Sequence, residues 1–153
     1  MIHFSYIGTR NPRSWVKLGD SWQATDDIYI RLQDDTGVKY TFHIFPGFRT
    51  DFGSIPVIFR WFVPSRSETN DVLNMAFVVH DACYSSGLVH KDLADQMLHD
   101  ILIDAGISRF RAKMVKWAVS NFADSHYGPE NDTDDNDLFV DLKVYKEIFD
   151  GVS

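Results

Sequence analysis

The chain has one cysteine, Cys83, among its 153 residues. That excludes an intrachain disulfide and a zinc site made of cysteines alone. A reducing compartment, or a particle assembled in one, is the expected setting. Long apolar runs are also missing. Stretches such as Met75-Ala76-Phe77-Val78-Val79 fall far short of the roughly 20 residues that span a bilayer. No basic segment followed by an apolar one follows Met1, so no signal peptide is expected. Positive charge is in deficit, with 15 Lys and Arg against 22 Asp and Glu, a net charge of −7. A general nucleic-acid binder needs a basic face to meet phosphates, and this balance argues against one. Arg109, Arg111, Lys113 and Lys116 crowd one stretch, which a solvated helix face explains. Internal repeats are absent. With 44% hydrophobic and 24% charged residues, the chain has the composition of a soluble globular protein with a single sizeable core.

The first half has strand periodicity. Ile28, Ile30 and Leu32 alternate with polar residues, as do Val38, Tyr40, Phe42 and Ile44. The connection Gln33-Asp34-Asp35-Thr36-Gly37 predicts a β-hairpin, and Pro46-Gly47 ends it. The second half has helical periodicity. Ser67 or Thr69 can cap a helix running to about Tyr84, with Val72, Met75, Ala76 and Val79 on one face. A second helix is expected from Lys91 to Ala105, with Gly106 just beyond its end. Ser108 can cap a third, with Phe110, Met114, Trp117, Ala118 and Phe122 facing inward. The segment from Leu138 to Phe149 fits both periods and is assigned here to helix.

The expected fold is α+β: an N-terminal antiparallel β-hairpin or small sheet packed on a C-terminal group of three to four helices. Residues 1–129 form the expected domain, and 130–153 an acidic loop and C-terminal tail. Asp132, Asp134 and Asn136 mimic the start of a calcium loop. The sixth position is Asp137 rather than glycine and the twelfth is Lys143 rather than glutamate, so calcium is not expected there.

Three polar stretches lie beside apolar neighbours: Thr50 to Pro56, His80 to Tyr84, and Ala94-Asp95. Buried polar groups are costly unless paired, so these stretches are expected to meet in one site. Asp51 can act as metal ligand, general base or orienter of a histidine. It can also simply bond the backbone amides of its own turn, together with Ser54. No nucleophile-elbow pattern surrounds Ser54. His80 can be a base, a metal ligand or a satisfied core residue. Asp81 points about 100° away from it on a helix. Asp95 lies at the edge of an apolar stripe and shares a face with His99.

From Tyr29 to Asp95 the sequence resembles a phage and prophage family catalogued as domain of unknown function thirteen-fifty-three. The matching positions are Gly47, Phe48, Thr50, Asp51, Ser54, Pro56, His80, Asp81, Tyr84, Ala94 and Asp95. Cys83 departs from the family, which usually has an aliphatic residue before the tyrosine. The resemblance implies a phage origin and a small α+β domain, without an established activity.

Three functional expectations follow. The favoured one is a virion component (tail, baseplate or head-to-tail), made in the host cytoplasm, whose partners are other phage structural proteins and which carries a hydrolase-like site. The second is a hydrolase acting on the bacterial cell wall. Its catalytic residues would be His80, Asp81 and Asp51, with Asp51, His80 and Asp95 as ligands of a divalent metal and Ser54 and Tyr84 in support. The third is an intracellular phage effector that inhibits a host protein.

Overall fold

The computed structural model describes residues 2–50, 69–122, 127–131 and 136–146. Six strands come first: β1 (Phe4–Arg10), β2 (Trp15–Leu18), β3 (Ser21–Ala24), β4 (Ile28–Asp34), β5 (Val38–Ile44) and β6 (Arg49–Thr50). Three helices follow, α1 (Asp71–Ser86), α2 (Lys91–Asp104) and α3 (Arg109–Phe122), and then a strand, β7 (Val140–Lys146). The main sheet has the order β1-β4-β5-β7, and a smaller one has β2-β3-β6.

The expected hairpin is β4–β5, with Ile28 opposite Ile44, Ile30 opposite Phe42 and Leu32 opposite Tyr40. Alternation puts Ile28, Ile30, Leu32, Phe42 and Ile44 on the buried face, at no more than 1% exposure. The turn is held by Asp34. Its carboxylate accepts from the Thr36 N–H at 2.9 Å and hydroxyl at 2.6 Å, and from the Val38 N–H at 3.0 Å. Gly47 (φ 108°) follows β5, and the Phe139 ring packs so close that an added Cβ would lie 2.7 Å from it.

The expectation that helices alone complete the C-terminal half is wrong. After α3 the chain returns to the sheet, and Val140–Lys146 pairs antiparallel with β5, Val140 opposite Ile44 and Leu142 opposite Phe42. A helix there would have left β5 as an unpaired edge. It would also have relied on Leu138 as an apolar contact, yet Leu138 is 72% exposed. The two-residue period of Val140, Leu142 and Val144 prevailed because a ladder partner was waiting.

The other edge of the sheet is closed by a helix. The Phe4 N–H donates to Asp100 Oδ2 and the Tyr6 N–H to Asp104 Oδ2, both at 2.8 Å. Residues i and i+4 on α2 rise about 6 Å, close to the roughly 6.7 Å between alternate N–H groups of a strand. The two carboxylates therefore meet two successive outward N–H groups of β1.

Helix α1 is buried on nearly every side: Leu73 to His80 without a break, then Ala82, Cys83 and Tyr84. An all-round apolar helix is a central one. Its N-cap is Asn70, whose side chain accepts the Leu73 N–H, and Gly87 closes it in the left-handed conformation (φ 66°). Helix α2 ends as expected at Gly106 (φ 96°), where the Gly106 N–H meets the Ile103 carbonyl and the Ile107 N–H meets that of Leu102. Of the residues expected to face inward from α3, Ala118 is buried and Met114 packs on the core, Phe110 and Trp117 do not, and the Phe122 side chain lies outside the described residues. Ala112, Val115, Ala118 and Val119 are buried, while Phe110 is 65% and Trp117 49% exposed.

Candidate functional site

Two i, i+4 pairs build the site. His80 and Tyr84 share one face of α1, and Lys91 and Asp95 share one face of α2. Ser120 joins them from α3. All four of the other side chains converge on the Asp95 carboxylate, which has no exposed surface. Oδ1 lies 2.8 Å from His80 Nε2 and accepts the Tyr84 hydroxyl at 2.6 Å. Oδ2 accepts from Lys91 Nζ at 3.1 Å and the Ser120 hydroxyl at 2.9 Å. A carboxylate has about four lone-pair sites, so these four donors occupy them all.

The electrostatics favour an ionised Asp95. Burial by itself raises its pKa. Hydrogen bonds from His80 and Tyr84, the charge of His80 and the bond from Lys91 outweigh that, so the carboxyl lies below its ordinary value. An ionised carboxylate can only accept, so the proton of the His80–Asp95 bond belongs to Nε2. In the neutral imidazole the free lone pair is then on Nδ1, for which no hydrogen bond is present among the described residues. The His80 ring also packs against Tyr84 at a tilt of 38°, with centroids 4.1 Å apart. Tyr84 meets Tyr127 edge-on at 5.3 Å, and the Tyr127 hydroxyl donates to the Val89 carbonyl at 2.7 Å.

Cys83 is buried next to this network. Burial, and then the nearby Asp95 charge, push its thiol well above the ordinary range. It is not a poised nucleophile.

The expected site residues separate. His80, Tyr84 and Asp95 are brought together. Asp81 points elsewhere, as the helical angle predicted, and accepts the Thr50 hydroxyl at the end of β6. Asp51 and Ser54 lie outside the described residues. His99 does not pair with Asp95. Its Nδ1 lies 2.8 Å from Asp100 Oδ1, which also accepts from Gln96 Nε2 at 2.8 Å. The Asn136 side chain, compared above with a calcium ligand, bonds both the N–H and the carbonyl of Arg49, at 2.9 and 2.7 Å. Among the described residues, no three His, Cys, Asp or Glu side chains are grouped as a metal site. Sequence reasoning missed Lys91 and Ser120. The i, i+4 spacing to Asp95 could have found Lys91, while no local pattern marks Ser120.

Fold and site together define a small α+β domain with a buried histidine–carboxylate dyad where three helices meet. The chain belongs to the family described as "Protein of unknown function (DUF1353)", whose sequence profile matches residues 22–119, more than half of the chain. The match runs from β3 into α3, so it includes the dyad but not β1, β2, β7 or Ser120. No curated protein and no solved structure matches the chain.

Proposed function

We propose that this chain is a phage virion-associated protein carrying a hydrolytic site, with the bacterial envelope, peptidoglycan above all, as substrate class. One observation carries the hydrolytic reading. Asp95 fixes His80 through Nε2 and leaves Nδ1 as the ring atom with a task unassigned. A neutral imidazole oriented in this way is a general base toward water, and the carboxylate stabilises the imidazolium that forms. The same arrangement serves metal binding, since a histidine ligand commonly passes its second N–H to a carboxylate. In that case Asp95 is the orienter and His80 offers Nδ1 to the metal. The phage setting rests on the family resemblance in the sequence.

The test has two arms. Purified protein is assayed for release of soluble fragments from peptidoglycan, with and without added divalent metal, alongside His80→Ala. Purified particles are searched for the chain by mass spectrometry. Activity that survives His80→Ala removes the dyad from catalysis, and absence from particles removes the virion assignment.

A second reading has its own support. The Asp95 network joins α1, α2 and α3 through one carboxylate, which is what a structural staple does. A virion protein with an inert network keeps its assembly role in a His80→Gln variant that retains the fold.

A further inference from the structure

We propose that the outer edge of β7 pairs with β7 of a second copy of this chain, forming a two-fold antiparallel dimer through one continuous sheet. The register of the sheet shows which groups are available. The Phe45 N–H bonds the Phe139 carbonyl, and β5 and β7 are opposed residue for residue from there, His43 to Asp141 and Thr41 to Lys143. In an antiparallel ladder hydrogen-bonded pairs alternate. Asp141, Lys143 and Tyr145 therefore bond toward β5, and Val140, Leu142, Val144 and Lys146 direct their N–H and C=O groups outward. Among the described residues, the one partner of these outward N–H groups is local: the Leu142 N–H reaches the side chain of its neighbour Asp141, at 2.9 Å. The opposite edge differs, since β1 has two outward N–H groups occupied by Asp100 and Asp104.

The sequence of β7, Val-Asp-Leu-Lys-Val-Tyr-Lys, is complementary to itself in one register. Centred on Leu142, antiparallel pairing sets Leu142 opposite Leu142 and Val140 opposite Val144. Both pairs join outward-directed backbone groups, as the ladder requires. The same register sets Asp141 opposite Lys143, twice, at the non-hydrogen-bonded positions where facing side chains are closest. Val144, 52% exposed, then packs on Val140 of the other copy. Shifting the centre to Lys143 would instead oppose two lysines and direct the wrong backbone groups at each other. Charge and hydrogen-bond register thus select the same pairing, and the occupant they specify is another copy of this strand.

The experiment is light scattering coupled to size exclusion over a concentration series, on the full chain. The wild type is expected to reach the mass of two chains. Asp141→Lys and Lys143→Asp each place like charges opposite one another and are expected to stay at the mass of one. Mixed in equal amounts, the two variants regain both opposite-charge pairs and are expected to form a dimer together. Val144→Pro removes an outward N–H without touching the ladder to β5, and is expected to be monomeric with an unchanged circular dichroism spectrum. A wild type that stays monomeric throughout overturns the proposal, as does a dimer indifferent to these substitutions or a variant mixture that remains monomeric.

Discussion

Tyr84 and His80 meet at the same oxygen of Asp95, the hydroxyl at 2.6 Å and the imidazole nitrogen at 2.8 Å. The phenol ring also packs against the imidazole, tilted by 38°. Tyr84 therefore restricts His80 twice, through the shared acceptor and through ring packing. Positioning and stability are coupled here, and removing the hydroxyl alone separates them.

Tyr84→Phe keeps the ring contact and frees one lone pair of Asp95. The expected cost is about 1.5–3 kcal/mol, the range for losing one hydrogen bond to a charged group. Asp95→Asn removes the acceptor for two cationic or polar donors at once and is expected to cost about 3–5 kcal/mol, as when a buried ion pair loses one partner. Urea unfolding of both variants checks this. Equal, small losses would show that Asp95 is not the centre of the network.

Asp34 is a second depressed carboxyl. Burial pushes it up, but the Thr36 side chain, the Val38 and Thr36 N–H groups and the Tyr40 hydroxyl pull it below its ordinary value. Asp34 and Asp95 are thus both more acidic folded than unfolded. Each contributes stability that is complete above the unfolded carboxylate pKa of about 3.9, and that is lost as pH falls through the lower folded values. The urea midpoint is expected to decline below about pH 4. Asp34→Asn is expected to be less stable than wild type at pH 7 by about 1–3 kcal/mol, with the gap closing in acid. A gap that is constant with pH would refute this account.

Cys83 is expected to resist thiol reagents at pH 8 in the native protein and to react at once in denaturant. Its side chain has no exposed surface, and its thiol is held protonated by burial and by Asp95. Labelling followed by mass spectrometry measures this. Native-state reaction as fast as that of the unfolded chain would mean that α1 opens readily.

Gly47→Ala meets two obstacles. The backbone sits at φ 108°, and the new Cβ would lie 2.7 Å from the Phe139 ring. A loss of about 1–3 kcal/mol is expected, from backbone strain together with overpacking. Gly47→Ala combined with Phe139→Leu should recover the steric share and leave the strain. Thermal unfolding of these two variants and of Phe139→Leu alone separates the two parts.

The β4–β5 hairpin, three helices and the Gly106 terminus were legible in the sequence because each depends on neighbours within a few residues. Asp95 was legible because an aspartate beside Ala94 on an apolar stripe has to find partners. What was hidden depended on distant residues. Nothing within Val140–Lys146 reports that β5 lacks a neighbour, so the helical and strand periods looked equal. Strands β1, β2 and β3 carry weak alternation and were not anticipated. Phe110 and Trp117 suggested a buried stripe by their size, while the core of α3 is built on Ala112, Val115, Ala118 and Val119. Ser120 reaches Asp95 from 25 positions away, and no local pattern encodes that.

The pairing of Ile44 with Val140 also sets a schedule during synthesis. At roughly 5–20 residues per second, β5 leaves the ribosome several seconds before its partner strand exists. Through that interval β5 presents a full unpaired edge, with Phe42 and Ile44 short of one neighbour. A nascent chain that stops before residue 140 keeps that edge permanently. Translation pauses between β5 and β7 should therefore lower yield more than pauses before β5.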